Sequence, residues 1–181
     1  MEMTAVRKSL SLNEKLIEAE KAKNAGNSFY KDGNLQKAIK KYHISLLYLK
    51  DVEKPSPLDK LSGTEPEEIS EELLDDIFKL RCSCYNNLSA VMLKKKNYEK
   101  VITYATEVLT KESKNVKAFF RRGQAYYATK NIEKAEDDFL AIKQIDSSES
   151  CADRFFPLID AAKKKQLASE KEMCRKMMSN G

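Results

Sequence analysis

The stretch Lys-Ala-Phe-Phe-Arg-Arg-Gly-Gln-Ala-Tyr-Tyr, residues 117–127, sets three positive charges among aromatic and small residues. A helix that buries one face can use the aromatic residues, but packing gives it no need of the charges. Lys117 and Arg121 are four residues apart, and so are Lys23 and Asn27 near the start of the chain. Residues at this spacing share one face of a helix. Each pair can therefore present its polar groups to a single ligand.

Carboxylate binding is the chemistry that fits these residue types. Lysine offers a point charge, arginine a planar fork of donors, and asparagine two amide donors that can hold a peptide backbone or terminus. The predicted ligand is an extended acidic peptide end that carries an α-carboxylate. A single exposed lysine is usually only solvated surface. The prediction therefore depends on several such residues meeting in one groove.

The residue inventory argues against an enzyme. A single histidine, His43, leaves little for a catalytic triad or a histidine metal site. The sequence has no Gly-rich phosphate loop, nucleophile elbow or metal-ligand cluster. Cys82-Ser83-Cys84 lacks the spacing of a zinc or redox motif, which favours reduced structural thiols. We therefore expect no catalytic residue, no metal and no cofactor.

Composition is typical of one soluble helical domain. The 181 residues are 34% charged and 41% hydrophobic, with only five Gly and four Pro. The net charge of +5 falls short of the dense basic stripe of a nucleic-acid footprint. No apolar run reaches the roughly 18 residues of a membrane helix, and the first thirty residues lack a signal-peptide core. The sequence thus predicts a cytoplasmic protein that binds neither nucleic acid nor membrane.

Helical periodicity runs from about residue 12 to residue 178, and no segment alternates like a strand. Ser11 and Glu14 have the spacing of a capping box, so a first helix should begin there. Residues 32–34, Asp-Gly-Asn, break that helix. Residues 35–49 then have the apolar spacing of a second, packed helix.

Self-comparison of the chain reveals three helix pairs. Gly26, Ser89 and Gly123 align, and matching residues follow three, twelve and sixteen positions later. These matches are Phe29, Met92 and Tyr126; Ala38, Val101 and Ala135; and Tyr42, Ala105 and Phe139. The offset from Ser89 to Gly123 is 34 residues, the period of a tetratricopeptide helix-turn-helix repeat. A small residue on the first helix (A) lets the second (B) approach, while larger residues fill the remaining wedge.

The predicted fold is an all-α tetratricopeptide solenoid with three helix-turn-helix repeats and a C-terminal capping helix. Its parts are an N-terminal tail at 1–11, the repeats at 12–146 and a C-terminal helix at 147–181. An insertion at about 51–76 separates the first B helix from the second A helix. Its acidic second part should extend that A helix backwards, either as a solvated helix start favoured by the helix dipole or as a partner-binding surface.

A final helix is predicted from about Glu149 to Met178, with Pro157 near its start or bending it. An apolar side should cover the exposed flank of repeat three, as solenoids need a terminal cap. This side comprises Leu158, Ile159, Ala162, Leu167, Met173 and Met177. We interpret the Met-rich end, which also includes Met178, as packing in preference to a ligand groove.

The predicted groove gathers residues from three A helices, because these helices line the concave surface of a tetratricopeptide stack. Lys117 and Arg121 lie three positions earlier in their repeat than Lys23 and Asn27 do, which is close to one helical turn and keeps roughly the same face. Asn87 holds in repeat two the place that Arg121 holds in repeat three. The candidate peptide-carboxylate site is thus Lys23, Asn27, Asn87, Lys117 and Arg121.

Three strings give the sequence a family resemblance. They are Lys23-Asn24-Ala25-Gly26-Asn27, Tyr85-Asn86-Asn87-Leu88-Ser89-Ala90 and Lys117-Ala118-Phe119-Phe120-Arg121-Arg122-Gly123. These strings resemble the carboxylate-clamp tetratricopeptide domains of chaperone partner proteins, including the FK506-binding immunophilins. The resemblance implies that the five candidate residues hold the terminal Glu-Glu-Val-Asp carboxylates of the seventy- and ninety-kilodalton heat-shock proteins.

The layout, with an early first repeat, an insertion and a Lys-rich final helix, resembles the tetratricopeptide repeat protein 9 family over roughly residues 14–178. Because no isomerase domain precedes Lys23, isomerase activity is not implied unless the chain is a fragment.

The favoured function is a co-chaperone adaptor, with a second client protein as a further partner and the preferred chaperone left open. The alternative is a scaffold that uses its convex face, insertion or C-terminal helix without chaperone binding. Arg122, about 100° round the helix from Arg121, should matter less for the ligand.

Overall fold

The computed structural model of the protein describes residues 10–50 and 70–179. Within these ranges the chain forms α-helices, one 3-10 turn and no strand, which confirms the all-α prediction. The helices are α1 Leu12–Lys31, α2 Leu35–Tyr48, α3 Glu71–Lys94, α4 Tyr98–Leu109, α5 Val116–Ala128, α6 Ile132–Ile145 and α7 Phe156–Ser179, and the 3-10 turn is Asp153–Phe155. They divide between two compact units, the first ending at Lys95 and the second beginning at Lys96.

The start of α1 confirms the predicted capping box. The Glu14 backbone N–H donates to Oγ of Ser11 at 3.3 Å, and the Ser11 N–H donates to the Glu14 carboxylate at 2.8 Å. Both donors would otherwise have no partner within the helix.

The turn between the two helices of a pair requires a left-handed residue. Gly33, Lys96 and Lys130 have φ of 76°, 56° and 62° and occupy the same place in the three successive turns. An asparagine follows each of them. In Asn34 and Asn97 the side chain accepts the backbone N–H three residues later, which caps the new helix.

The first unit packs α1 along α2, and both helices contact α3. Its apolar core joins Ala19, Leu49, Ile77, Leu80 and Cys84. A buried hydroxyl, Ser45, donates to the carbonyl of Ala19 at 2.7 Å and so adds a polar link between α1 and α2.

The second unit has an aromatic core. Phe139 of α6 stacks on Phe155 of the 3-10 turn with ring centroids 4.5 Å apart, and Phe120 of α5 meets both rings edge to face. Ile142 and Ile159 complete the buried cluster. These contacts hold the start of α7 against α6.

The last helix begins later than predicted, at Phe156 and not near Glu149. Pro157 lies in its first turn, where a missing N–H costs nothing, and the chain approaches it through the 3-10 turn. The predicted apolar cover is correct only for Ile159, which is fully buried, and Ala162. The other predicted cover residues and Met178 are exposed: Leu158 46%, Leu167 52%, Met173 58%, Met177 70% and Met178 86%. The packing interpretation of the Met-rich end is therefore wrong within this chain.

The predicted tail at 1–11 and insertion at 51–76 lie mostly outside the described residues. Of the acidic run, the part from Ser70 onwards is described, and Ser70 caps α3 by accepting the Leu73 N–H. α3 has 24 residues against 13 in α5, in line with the expected backward extension of the second A helix.

All four cysteines are free thiols. Cys82 and Cys84 are buried in α3, as packing residues should be, whereas Cys174 is exposed on α7.

Candidate carboxylate-binding site

Two predicted site residues and one unpredicted residue meet in the first unit. Asn27 lies on α1, Asn87 on α3 and Tyr42 on α2. The Asn87 amide Nδ2 donates to Oδ1 of Asn27 at 2.9 Å, and the Tyr42 hydroxyl donates to the same oxygen at 2.9 Å. The Asn27 side chain thus links the three helices described in this unit.

The approach of α2 to α1 depends on Gly26. A Cβ placed on this residue would lie 2.6 Å from Cε1 of Tyr42, closer than van der Waals contact allows. The Tyr42 ring therefore lies directly on the α1 backbone, and its hydroxyl reaches Asn27, the next residue along α1. Burial raises the pKa of Tyr42 to about 12, so the hydroxyl keeps its proton at neutral pH.

Lys23 lies one turn before Asn27 on α1. It lines a depression of about 330 Å³ in the first unit, together with Ser83 of α3, which is one turn before Asn87. Burial raises the pKa of the nearby Cys84 thiol, while its bond to Ser45 and the charge of Lys23 act in the opposite direction. Lys23 thus adds an ammonium group one turn before Asn27 on α1, and Ser83 adds a hydroxyl one turn before Asn87 on α3.

The depression around Lys23 also carries charged residues outside the five predicted site residues. Glu20, Asp76 and Lys79 line it, and Lys79 forms an ion pair with Asp75 at 2.6 Å. Periodicity could have found Glu20, which shares the α1 face with Lys23. The carboxylates disfavour an anion in this depression, so an anionic ligand would have to meet Lys23 on the side toward Asn27, one turn further along α1.

The first-unit cluster is built to donate hydrogen bonds. Because Oδ1 of Asn27 already accepts two bonds, the amide nitrogen is the group left to meet a ligand. Asn87 retains a second amide N–H, and Lys23 adds an ammonium group. A carboxylate, which only accepts, matches such a set of donors.

Lys117 and Arg121 lie on α5 in the second unit. Asn115 caps this helix by accepting the Ala118 N–H at 3.0 Å, which fixes where the first turn begins. Lys117 is exposed on that turn beside an open depression of about 620 Å³ lined by residues 111–117, and Arg121 is partly buried. Their convergence with Lys23, Asn27 and Asn87 stays a prediction of the repeat register.

Arg122 has a structural partner. Its guanidinium donates to both carboxylate oxygens of Asp138 on α6, with the shortest contact, Nη2 to Oδ1, at 2.7 Å. A further bond at 3.1 Å joins it to the Thr106 hydroxyl on α4. The Asp138 side chain is only 4% exposed. Arg122 therefore neutralises a buried carboxylate, and the expectation that it should matter less for the ligand gains a physical reason.

Asp138 was not among the predicted residues, although its spacing from Arg122 carries a signal. Arg122 and Asp138 are sixteen residues apart, the same spacing as Gly123 and Phe139 on the same two helices. Burial raises the pKa of Asp138 and outweighs the bonds from Arg122, which lower it. The bond to Asp138 in turn raises the pKa of Arg122.

The described residues bring together no group of three or more His, Cys, Asp or Glu side chains able to hold a metal ion. None of the described helices has both the length and the apolar character needed to cross a membrane.

No protein-family model matches the chain, but individual relatives do. Peptidyl-prolyl cis-trans isomerase D of Kluyveromyces lactis is 31% identical over 172 residues, which cover 93% of this chain and 43% of that protein. The isomerase FKBP42 of Arabidopsis thaliana is 27% identical over 167 residues, 92% of this chain and 42% of that protein. The chain thus spans less than half of either isomerase. Tetratricopeptide repeat protein 9C of Xenopus tropicalis is 30% identical over 124 residues, 66% of this chain and 69% of that protein.

Solved structures share the fold. The C-terminal tetratricopeptide domain of a Plasmodium falciparum FK506-binding protein superimposes with a TM-score of 0.76 at 24% identity, over 90% of this chain and 99% of that domain. The first tetratricopeptide domain of Spaghetti (RPAP3), bound to the HSP90 peptide SRMEEVD, gives 0.60 at 17% identity over 80% and 92% of the two chains. The second such domain of human RPAP3, in complex with the HSP70 peptide SGPTIEEVD, gives 0.58 at 19% over 83% and 98%. These likenesses confirm the predicted tetratricopeptide solenoid.

Proposed function

This chain belongs to the tetratricopeptide repeat protein 9 family, and on that premise we propose that it is a chaperone-binding adaptor. It captures the acidic C-terminal tails of heat-shock chaperones of the ninety- and seventy-kilodalton classes. Two structural neighbours hold peptides of this kind, both ending in Glu-Glu-Val-Asp. The proposed activity is binding without catalysis, in the cytoplasm.

The observation that carries the proposal is the pair of bonds on Asn27. Because the Tyr42 hydroxyl and the Asn87 amide both donate to its Oδ1, the amide nitrogen is left for a ligand. Together with Lys23 on the next turn, these groups form a set of donors that suits a peptide α-carboxylate.

Lys117 and Arg121 supply the second part of the proposed site. They are four residues apart on α5 and so share one face of that helix, which the proposal assigns to the groove predicted from the repeat register. In this arrangement they hold acidic side chains of the same peptide tail. An ammonium and a guanidinium can neutralise two carboxylates, so affinity should fall as salt screens the charges.

Calorimetric titration with the two peptides SRMEEVD and SGPTIEEVD tests the proposal. We expect both to bind, and we expect Lys117→Ala or Arg121→Ala to abolish binding while the helical circular dichroism is unchanged. Comparing the two peptides on the unmodified protein also reveals which chaperone class is preferred.

Lys100→Ala provides the matched control, because it removes the same charge from the exposed first turn of α4, a B helix. This variant should bind as the unmodified protein does. Undiminished affinity in the Lys117 and Arg121 variants would show that the α5 charges only keep the protein soluble, and the adaptor proposal would fail.

A scaffold function is the second candidate, and the exposed end of α7 favours it. Met173, Met177 and Met178 are more than half exposed and offer an apolar surface to another protein. A complex that persists at high salt and survives Lys117→Ala would support the scaffold over the adaptor.

A further inference from the structure

The pair α1–α2 lies in the first unit and the pair α5–α6 in the second. Each of these pairs packs an aromatic ring on a glycine. In the first pair the ring is Tyr42 on Gly26, and in the third pair it is Phe139 on Gly123. Both rings are buried, with 1% and 0% exposure. The pair α5–α6 therefore packs fully without a hydroxyl at this position, so packing alone does not require the oxygen of Tyr42.

The Tyr42 hydroxyl forms a hydrogen bond with the Asn27 side chain. It donates to Oδ1 of Asn27 at 2.9 Å, where the Asn87 amide also donates. The side-chain amide of an asparagine can rotate by about 180°, which exchanges the positions of its oxygen and nitrogen with little change in shape. We call this rotated arrangement the turned state. The turned state is disfavoured, because the Asn87 amide nitrogen would then face an N–H group. The Tyr42 hydroxyl could accept from that group only by turning its own proton away from Asn27, and this side chain is just 1% exposed.

We propose that Tyr42 is a positioning residue that holds the Asn27 amide with its nitrogen toward the peptide carboxylate. This inference rests on the proposed function and assigns one residue outside the five predicted ones to the same site. Its role is to keep an acceptor away from an anionic ligand. The turned amide would place its oxygen against the carboxylate and repel it.

Loss of the Tyr42 hydroxyl should change both the affinity for the peptide and the preference for a free C-terminal carboxylate. Tyr42→Phe retains the ring that packs on Gly26 but removes one donor, a loss that typically costs about 1 kcal/mol or roughly fivefold in affinity. We expect SRMEEVD to bind about fivefold more weakly. We also expect a smaller preference for the free-acid peptide over the same peptide with an amidated C-terminus, because the turned amide accepts a bond from an amide but not from a carboxylate.

The decisive measurement is the preference ratio, which is the affinity for the free-acid peptide divided by the affinity for the amidated peptide. A fold defect lowers the concentration of competent protein for both peptides equally and leaves the ratio unchanged, whereas a turned Asn27 changes it. Tyr48→Phe removes a hydroxyl from the end of the same helix and is the matched control, with neither affinity nor ratio altered. Thermal unfolding of each variant checks the fold.

The double variant Asn27→Ala with Tyr42→Phe tests whether Tyr42 acts through Asn27. In the Asn27→Ala background, Tyr42→Phe should cause no further loss. An unchanged preference ratio for Tyr42→Phe alone, or an equal loss in both backgrounds, would overturn the inference. If Lys117→Ala and Lys23→Ala leave peptide binding intact, the proposed function fails. If those two variants lose peptide binding but Tyr42→Phe binds as the unmodified protein does, only the role of Tyr42 is rejected.

Discussion

The first and third helix pairs share one packing contact and differ in their polar groups. In both pairs the aromatic ring lies sixteen residues after the glycine that it covers. A Cβ on the glycine would lie 2.6 Å from the ring of Tyr42 in the first pair and 2.9 Å from that of Phe139 in the third. The packing contact that both pairs share is thus an aromatic ring on helix backbone at a glycine, and this contact requires no particular polar partner.

The polar groups around that contact are specific to each pair. In the first pair the ring hydroxyl donates to the side chain of Asn27, which is partly buried. In the third pair the polar contact is internal, between Arg122 and the buried Asp138. The corresponding positions of the first pair hold Ala25 and Lys41, which cannot form such an ion pair. The two pairs therefore share the packing frame and differ in their polar residues, which in the first pair belong to the proposed binding site and in the third form an internal ion pair.

Arg122→Met should give the largest change in stability. It leaves the Asp138 carboxylate buried without its charged partner, which typically costs about 3–5 kcal/mol. Urea unfolding followed by circular dichroism at pH 7.5 measures the loss. Arg122→Met with Asp138→Leu should recover most of it, because the pair is then replaced by apolar groups. Equal loss in the single and double variants would contradict the ion-pair explanation.

The loss in Arg122→Met should depend on pH in a defined direction. Burial already raises the folded-state pKa of Asp138, and removing the Arg122 bonds raises it further. In the unfolded chain the carboxyl keeps its ordinary pKa, so between the two values only the folded state binds the proton. Acidification through the folded pKa therefore favours folding, and the deficit of the variant should shrink as the pH falls from 7.5 toward 5.

Local patterns were enough to predict the frame of the fold. The Ser11 and Glu14 spacing located the start of α1, and the match of Gly26 with Gly123 predicted where B helices approach A helices. These features depend on backbone bonding and side-chain size, which sequence displays directly. Asn27 and Asn87 meet in the first unit, and their predicted role in holding a carboxylate stays a prediction.

Features that depend on contacts between distant residues could not be predicted as well. The Asp138 carboxylate looks like a solvated surface charge in a segment with Glu136 and Asp137. Its sixteen-residue spacing from Arg122 marks a candidate partner, but its burial depends on how α5 packs on α6. The end of α7 shows the opposite error. Met173 and Met177 have the spacing of a buried face, but α7 passes beyond the surface that it covers after its first turns.

Gly26→Ala and Gly123→Ala should give the next largest changes, and they should differ. Overpacking typically costs about 1–3 kcal/mol, and the helix preference of Ala returns roughly 1 kcal/mol. Since the added Cβ would meet Tyr42 at 2.6 Å and Phe139 at 2.9 Å, Gly26→Ala should cost more. Only Gly26→Ala should also weaken peptide binding, because it displaces the Tyr42 ring.

Urea unfolding and calorimetry measure both effects of the glycine variants. Ser89→Ala is the control at the matching position of the second pair, where no atom is added. A larger cost for Gly123→Ala, or weakened peptide binding in that variant alone, would contradict the comparison of the two pairs.

The turns within the pairs should give the smallest changes, of opposite sign. Gly33 has φ of 76° and an added Cβ would meet no atom within 4 Å, so Gly33→Ala should cost about 1 kcal/mol from backbone strain alone. Lys130 has φ of 62° at the same place in the third pair, where Lys130→Gly removes that strain but adds chain entropy to the unfolded state. We expect a gain of about 0.5 kcal/mol in urea unfolding, with Lys96→Gly as the matched repeat of the test in the second pair. If Lys130→Gly destabilised the protein as much as Gly33→Ala, the entropy of the unfolded chain would outweigh the strain, and the two turns could not be treated as equivalent.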